Sequence, residues 1–518
     1  MSVSVDATGV RGEAVNIDRA GIGGHPRGLS TLFFTEMWER FSYYGMRAIL
    51  MLYMTKALSD GGLAFDTKYA GLIFGTYASS VYWTPLVGGW LADKVFGTRR
   101  AVLIGGIIIA CGHFSMVFHS MASFYGGLAL IAVGTGLLKP NISAMVGQMY
   151  AEGDERRDAG FSIFYMGINL GALIAPIVCG FLAQKEWFRN LLASWGFDPA
   201  NSWHWGFGAA GIGMTLGLIQ YVMGRDRLKG IGEKPVRKKD ADIDQLKAHD
   251  ASRGLDVVTL VLALVGGVIG FYFSYDATVG PVSALFFTVV GLAFGYIGGI
   301  CRHLNRGEMG RVGVIFVLFV FSVIFWMSFE QAATSLTLFA DQLTRTSVLG
   351  FSFPSSWFQT VQPTFVILLA PVFAGIWLKF GRRNPSSPTK FAVGLLFAGL
   401  AFALVAFAST LTGAGKVSPW WLVGVYLLQT LGELCLSPVG LSTVTKLSPA
   451  RMVGLMMGVW FLSISFGNFI AGKLGGEFVP DPGALAHLFG TVAGVTFAAA
   501  LVLFALTPLI RKMTPRST

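Results

Sequence analysis

Leu29-Ser30-Thr31-Leu32-Phe33-Phe34-Thr35-Glu36-Met37-Trp38-Glu39-Arg40-Phe41-Ser42-Tyr43-Tyr44-Gly45-Met46-Arg47-Ala48-Ile49-Leu50-Met51-Leu52-Tyr53-Met54 is the first long apolar stretch of the chain. At about 1.5 Å of rise per residue it is long enough to cross a bilayer as a helix. It nevertheless carries Glu36, Glu39, Arg40 and Arg47 inside the span. Each ionised group at the bilayer centre costs roughly 2.5–3.5 kcal/mol on insertion scales, so these four need partners or an aqueous cavity. Glu36, Glu39 and Arg40 stand at i, i+3 and i+4, which puts them on one helical face with the arginine beside both carboxylates. Tyr43, Tyr44 and Arg47 follow a turn further along nearly the same face. A structural ion-pair cluster is the plainer reading; the wall of a polar path through a membrane is the sharper one.

The whole chain supports the membrane setting. Of its 518 residues 53% are hydrophobic and only 13% charged, with mean hydropathy +0.62, which excludes an ordinary soluble domain and places the protein among multi-span membrane proteins in a lipid bilayer. The net charge of +11 does not point to nucleic acid. Most Lys and Arg fall in loops assigned to one side, so the basic balance is a topology signal that places those loops in the cytoplasm. Cys111, Cys179, Cys301 and Cys435 lie in or at the ends of apolar segments without metal-like spacing, and read as packing residues. The polar first thirty residues lead into a span too long for a signal-peptide core, so no cleaved signal is expected.

Taken in order, the chain reads as a cytoplasmic tail (1–28), six apolar spans (29–223), a charged cytoplasmic linker (224–253), two further spans (254–303), six more (304–511) and a short cytoplasmic tail (512–518). The segments lie near 29–56, 69–95, 100–119, 122–150, 158–184, 203–223, 255–275, 281–302, 312–341, 355–380, 389–412, 419–447, 452–475 and 485–510. That predicts an all-α integral membrane protein of fourteen transmembrane helices with both termini in the cytoplasm. The halves repeat a local pattern. Gly88-Gly89-Trp90-Leu91-Ala92-Asp93-Lys94 through Arg99-Arg100 and Gly375-Ile376-Trp377-Leu378-Lys379-Phe380-Gly381-Arg382-Arg383 each read as a tight glycine turn with basic flanks. The first resembles the loop signature of the major facilitator superfamily. The resemblance implies two six-helix bundles rocking about a central site, with Asp93 pairing to the opposite bundle in one conformation.

Ionisable residues stranded in spans mark function by default. The first half offers Glu36, Glu39, Arg40, Arg47 and Lys139, the second Glu330 and Glu433. A half with the cations thus faces a half with only anions. Arg47 with Glu330, and Lys139 with Glu433, are the expected gate pairs, and protonating a carboxylate breaks such a pair and couples a proton to movement. Tyr43, Tyr44, Tyr82, Asn169, Trp326, Gln331, Gln362 and Trp460 surround these charges. Singly each is a packing or anchoring residue; grouped with fixed charges they suit an amphoteric, partly apolar solute. Arg47 and Lys139 would hold a carboxylate, Glu433 an ammonium and Asn169 an amide, a site for a zwitterion of two or three residues.

Glu36-Met37-Trp38-Glu39-Arg40-Phe41-Ser42-Tyr43-Tyr44-Gly45 resembles the ExxERFxYYG signature of the proton-dependent oligopeptide transporter family. Further motifs agree. Gly75-Thr76-Tyr77 with Val81-Tyr82, Gly134-Thr135-Gly136-Leu137-Leu138-Lys139-Pro140-Asn141, and Phe164-Tyr165-Met166-Gly167-Ile168-Asn169-Leu170-Gly171 resemble its second, fourth and fifth helices. Phe329-Glu330-Gln331, Trp357-Phe358-Gln359 and Gly432-Glu433-Leu434-Cys435-Leu436-Ser437-Pro438-Val439-Gly440 resemble its seventh, eighth and tenth. The likeness covers residues 29 to about 475.

The resemblance implies the major facilitator fold and proton-driven uptake of di- and tripeptides across the bacterial inner membrane by alternating access. It assigns Arg47, Lys139 and Asn169 to the peptide carboxylate and backbone, and Glu433 to the amino terminus. Tyr43, Tyr44, Tyr82, Trp326 and Trp460 become pocket walls, and Glu36, Glu39, Arg40 and Glu330 the proton-coupling group. The two inserted helices are typical of bacterial members and are expected beside the core. The sequence departs from the family at Gln362-Pro363, where Asn-Pro is expected, so Gln362 stands outside the assigned site. It also has no histidine between Tyr69 and Trp90, which leaves coupling to carboxylates. His113 and His119 read as packing or interfacial groups. A transporter of the same fold for nitrate, a peptide-like drug or another small amphoteric solute is the alternative. An enzyme is disfavoured, since the sequence has no metal-ligand cluster, nucleophile elbow or phosphate loop, and no cofactor is expected. With both bundles on one chain, a monomer is expected.

Overall fold

The computed structural model describes residues 20–151, 154–233, 257–274, 281–381, 384–449 and 452–513. The first residues of the expected N-terminal tail, most of the charged linker, the basic pair Arg382-Arg383 and the last residues of the C-terminal tail lie outside them. Among the described residues the chain forms α1 (Arg27–Thr55), α2 (Thr67–Leu91), α3 (Thr98–Ser115), α4 (Met121–Gln148), α5 (Arg156–Gln184), α6 (Glu186–Ser194), α7 (Ser202–Met223), α8 (Val257–Ser274), α9 (Pro281–Cys301), α10 (Arg306–Phe329), α11 (Ser335–Gln342), α12 (Val361–Phe380), α13 (Ser387–Thr410), α14 (Trp420–Leu447), α15 (Val453–Gly476) and α16 (Pro482–Met513). Fourteen long helices meet the fourteen expected spans. The short α6 is additional. It is amphipathic, burying Phe188 and Leu192, and its nine residues are too few to have been separated from a loop by length.

Helix boundaries follow local chemistry. The Asp66 carboxylate accepts from the Lys68 N–H at 2.9 Å to start α2, and the Ser120 hydroxyl accepts from the Ser123 N–H at 3.0 Å to start α4. Asn305 and Glu308 form a reciprocal capping box on α10, which satisfies two otherwise orphan donors. The glycine turns fall later than expected. Gly88 and Gly89 are still inside α2, and Gly375 inside α12. The chain turns instead after a π-helical segment, Ala92–Phe96, at Gly97 with φ 78°, and at Gly381 with φ 46°. Both angles lie where a Cβ is penalised, so glycine fits there.

One expected span, 312–341, is two pieces. After α10 the chain tightens into a 3-10 turn, Glu330–Ala333, passes through Thr334 at φ −121° and ψ −97°, and resumes as α11. The freed backbone is capped from several sides. Thr337 donates to the Ala332 carbonyl at 2.8 Å, and the Tyr426 hydroxyl reaches the same oxygen at 3.5 Å. Ser335 donates to the Gln331 amide oxygen at 2.7 Å. Internal satisfaction of this kind is what permits irregular backbone at membrane depth.

The two ends of the molecule differ. At the end carrying the C-terminus of α1, one hydrophobic cluster runs through both halves and unites Met46, Leu50, Phe74 and Tyr77 with Leu336, Phe339, Phe402 and Phe489. At the other end the clusters are separate. Leu32, Val102, Leu138, Ile142 and Met145 form one, and Phe325, Phe391, Leu436, Met456 and Trp460 another. The halves therefore share one core at the joined end, and at the other each has a cluster made mainly of its own residues, the second taking in Leu72 of α2. Across the joined end α2 packs on α15 through bare backbone. A Cβ on Gly75 would lie 2.9 Å from the Phe469 carbonyl oxygen and 3.1 Å from the Gly472 Cα, and Gly71 faces Gly472 and Gly476 as closely. Small residues at such crossings let helices approach where water supplies no driving force.

The inserted hairpin of α8 and α9 sits at the side of this seam. Phe287 packs edge-on to Phe469 at 4.8 Å, and Phe294 to Phe319 at 5.5 Å. Val290 and Ile297 share a cluster with Leu72 of α2.

Candidate functional site

The charged face of α1 forms as its spacing dictates. Glu36, Glu39 and Arg40 are all buried. The Arg40 Nε lies 3.1 Å from a Glu36 carboxylate oxygen and also pairs with Glu39, and the guanidinium stands 5.6 Å from the Tyr43 ring centroid. One cation thus serves two carboxylates. Removing one partner of a buried pair typically costs about 3–5 kcal/mol, because the other charge stays buried.

Two turns on, Arg47 pairs with Glu330 across the halves, at the joined end. The break in α10 sets this geometry, since Glu330 is the first residue of the 3-10 turn. The Arg47 guanidinium also stands 5.8 Å from the Tyr44 ring centroid. Both partners are buried, so this bond locks one arrangement of the halves.

The second expected pair is open. Lys139 makes no ion pair among the described residues; its ammonium sits 4.1 Å from the Tyr82 ring centroid, a cation–π contact. Glu433 instead accepts a hydrogen bond from the Gln362 amide nitrogen at 3.2 Å. Lys139 and Glu433 thus stand apart, an ammonium against a ring on one half and a carboxylate held by an amide on the other. Asn169 donates back to the Tyr165 carbonyl at 3.0 Å. Tyr165 itself is 42% exposed, and its hydroxyl interacts electrostatically with Glu433 and Tyr44.

The remaining predicted residues divide. Tyr44 and Tyr82 are half-buried beside the charges. Tyr43 is buried against Tyr44, with ring centroids 5.2 Å apart. Trp460 is 1% exposed and packs between Phe391, at 5.7 Å, and Gly440, so the structure places it in the core of the second half. Trp326 is likewise buried, against Phe325, Phe329 and Gly467. Asp93 is exposed and makes no ion pair among the described residues. His113 is fully buried on α3, and His119 lies at the surface 2.6 Å from the Asn201 side-chain oxygen.

Three features went unread in the sequence. Gln362, set aside as a departure, holds Glu433. Lys56 pairs with Asp341 at 2.8 Å, and Lys68 with Glu477 at 3.2 Å, both across the joined end. Lys56 and Asp341 are the last residues of the spans 29–56 and 312–341, and Lys68 and Glu477 lie just outside theirs, where the insertion penalty is small; their complementarity between the halves was the available signal. The third is the polar clasp from α5 to the segment before α12. Gln184 donates to the Ser355 hydroxyl at 2.9 Å, and the Trp357 indole donates to the Ile177 carbonyl at 3.1 Å.

Comparison with known proteins gives a consistent picture. The profile of the POT family matches residues 99–241 and 287–478. The chain is 40% identical to the peptide transporter YePEPT of Yersinia enterocolitica subsp. palearctica serotype O:3 over 512 residues, 95% of this chain and 96% of that one. It is 36% identical to a di-/tripeptide transporter of Lactococcus lactis subsp. cremoris over 467 residues, 87% and 89% of the two chains. The crystal structure of the peptide transporter POT in complex with sulfate superposes with a TM-score of 0.78 at 42% identity, covering 96% of this chain and 98% of that one.

Proposed function

This chain belongs to the POT family, and from that premise we propose that it is a symporter that draws di- and tripeptides into the cell with protons. It is a multi-pass membrane transporter of the major facilitator type. The observation that carries the cargo assignment is the division of charge. Arg47 and Lys139 stand on the first half, Glu330 and Glu433 on the second, and Tyr44, Tyr82 and Asn169 lie among them. A short zwitterion has opposite charges at its two ends and fits such a site in one orientation. Its carboxylate meets Lys139 and Arg47, its backbone Asn169, and its ammonium Glu433.

The same charges supply the coupling. With 29–223 and 304–511 as the two moving bundles, Arg47–Glu330 closes one end. A proton on Glu330 cancels the attraction, and Arg47 becomes free for a peptide carboxylate or for release. The Glu36–Glu39–Arg40 cluster lies on the same helix as Arg47, so protonation of either carboxylate changes the charge about two to three turns from the Arg47–Glu330 pair. The positive-inside rule places the N-terminus of α1 in the cytoplasm of a bacterial inner membrane, and the joined end then faces outward. We take the site to open toward the cytoplasm, because the halves share a core at the outer end. We take the single chain as the working unit, because both bundles are on it.

The test is transport in liposomes of purified protein, with labelled dialanine and an inward proton gradient. Accumulation that collapses with a protonophore is expected. Intact, folded protein with neither accumulation nor competition by peptides would overturn the peptide reading and turn the search to other small amphoteric solutes.

A further inference from the structure

On α14, Tyr426, Gln429 and Glu433 stand at i, i+3 and i+7, one stripe of a helix. Both ends of the stripe touch groups already placed in the site. The Tyr426 hydroxyl reaches the Ala332 carbonyl, two residues past Glu330, and Glu433 is held by Gln362 and interacts electrostatically with Glu330. Gln429, in the middle, is 1% exposed. Neither its side-chain oxygen nor its nitrogen has a hydrogen-bond partner among the described residues. A buried amide carries one acceptor and one donor group, and leaving them unpaired costs about 1–3 kcal/mol.

The level of Gln429 follows from register. α10 and α14 run antiparallel; Ala332 lies opposite Tyr426, and the Phe325 ring lies against Gly432, 3.2 Å from where its Cβ would be. The two contacts agree to within one residue, which sets Gln429 opposite Ser328 and Phe329. It therefore falls between the levels of Glu330 and Glu433. At 1.5 Å per residue the backbone positions that carry those two carboxylates are about 8 Å apart along the axis. Proton transfer needs donor and acceptor about 2.6–3.2 Å apart, or one water between them, and here Glu330 is bonded to Arg47 and Glu433 to Gln362 rather than to each other.

We propose that Gln429 holds buried water that relays a proton between Glu433 and Glu330. Water satisfies both orphan groups of the amide, as buried waters do elsewhere with two to four polar partners. In the relay the water accepts a proton from one glutamic acid and delivers another to the opposite carboxylate, so net charge and atom count are unchanged. An ammonium arriving at Glu433 favours its ionised form. The displaced proton then neutralises Glu330 and releases Arg47. Gln429 is a positioning residue: it touches neither peptide nor gate, but fixes the path between them. The charged and titratable groups that act on this stretch are Arg47 and Tyr44 from α1, Tyr165 from α5, and Glu330 from the 3-10 turn after α10, with the neutral Gln362 from α12. Lys390 of α13 instead interacts with Cys435, on another face of α14.

The inference rests on the proposed proton–peptide coupling, so the experiment separates the two. In liposomes, labelled dialanine counterflow at equal pH is compared with accumulation under an inward proton gradient. Gln429→Leu keeps the volume and removes the polar groups; driven accumulation is expected to fall at least about tenfold further than counterflow, in line with general acid–base contributions. Gln429→Asn, still polar, is expected to recover part of the difference, and it carries the test if the leucine variant does not fold. Equal loss of both activities in a folded variant, or no loss of either, overturns the relay. If the wild type does not exchange dialanine, the peptide reading fails and the relay is read without cargo. Infrared carboxyl bands are then titrated, and Glu330→Gln should shift the Glu433 band in the wild type but not in Gln429→Leu. A shift of the same size in both would overturn the relay.

Discussion

Glu433 presents a carboxylate to the space between the halves with one neutral donor, Gln362, on it. A peptide ammonium arriving there makes a charge-assisted hydrogen bond worth about 1.5–3 kcal/mol. Glu433→Gln is therefore expected to raise the KM for free dialanine by about ten- to hundred-fold. Competition by an N-acetylated dipeptide should change little, and competition assays with both ligands check this. Glu330 is read differently, through coupling. Glu330→Gln mimics the protonated side chain permanently, so counterflow is expected to persist while accumulation under a proton gradient is lost; retained accumulation would remove Glu330 from the coupling group. The cast of charged residues was legible in the sequence because a charge in a span is costly enough to announce itself. Their pairing was only half legible. Arg47 meets Glu330, but Lys139 leans on Tyr82 and leaves Glu433 to Gln362. Which pair is closed depends on the conformation, and sequence does not encode one conformation over the other. The surroundings of Trp460 were hidden for a related reason. An indole in a membrane helix looks the same whether it lines a cavity or fills a core, and Phe391 and Gly440 decide the matter from distant parts of the chain.

Helices were legible as apolar runs, with ends set by Asp66, Ser120 and the Asn305–Glu308 box. The interruption after α10 was not. Phe329 to Ser335 contains neither glycine nor proline, and the break is held by groups elsewhere, including Tyr426 and Ala471, which accepts from Thr334 at 3.3 Å. The turn chemistry at Gly97 and Gly381 was displaced from its expected position because Gly88, Gly89 and Gly375 serve inside helices. Gly88, for one, meets the backbone of Gly136 on α4. The crossing of α2 and α15 gives a prediction at this scale. Gly472 faces both Gly71 and Gly75 through backbone, so Gly472→Val leaves no room for the joined end to close. Spin labels at Lys68 and Glu477 are expected to report a longer, broader distance in that variant. An unchanged distance would show that the seam yields without opening.

For the molecule as a whole, the joined end is held by unequal bonds. Arg47–Glu330 is buried, whereas the Lys68 and Glu477 side chains are 70% and 56% exposed. An exposed pair contributes about 0–1 kcal/mol and weakens with salt. Exchanging Lys68→Glu with Glu477→Lys is accordingly expected to leave transport near the wild-type rate, with a coupling energy of at most about 1 kcal/mol in a double-mutant cycle. A large loss in the single variants that the exchange does not restore would mean these residues do more than pair. The asymmetry between one shared core and two separate ones was beyond the reach of the sequence, since every apolar span looks equally ready to pack.

The glycine seam between α2 and α15 bears on speed. Where two interdigitated side-chain surfaces part, each must find its rotamers again before the surfaces can meet. Backbone meeting backbone at Gly71, Gly75, Gly472 and Gly476 has no rotamers to sort. The two faces can peel apart and reseal in the same register at each turnover, so little friction arises at the seam itself. With the coupling proposed above, the pace of the cycle is then expected to belong to the charges beneath it, so that the transporter waits on a proton rather than on its own packing.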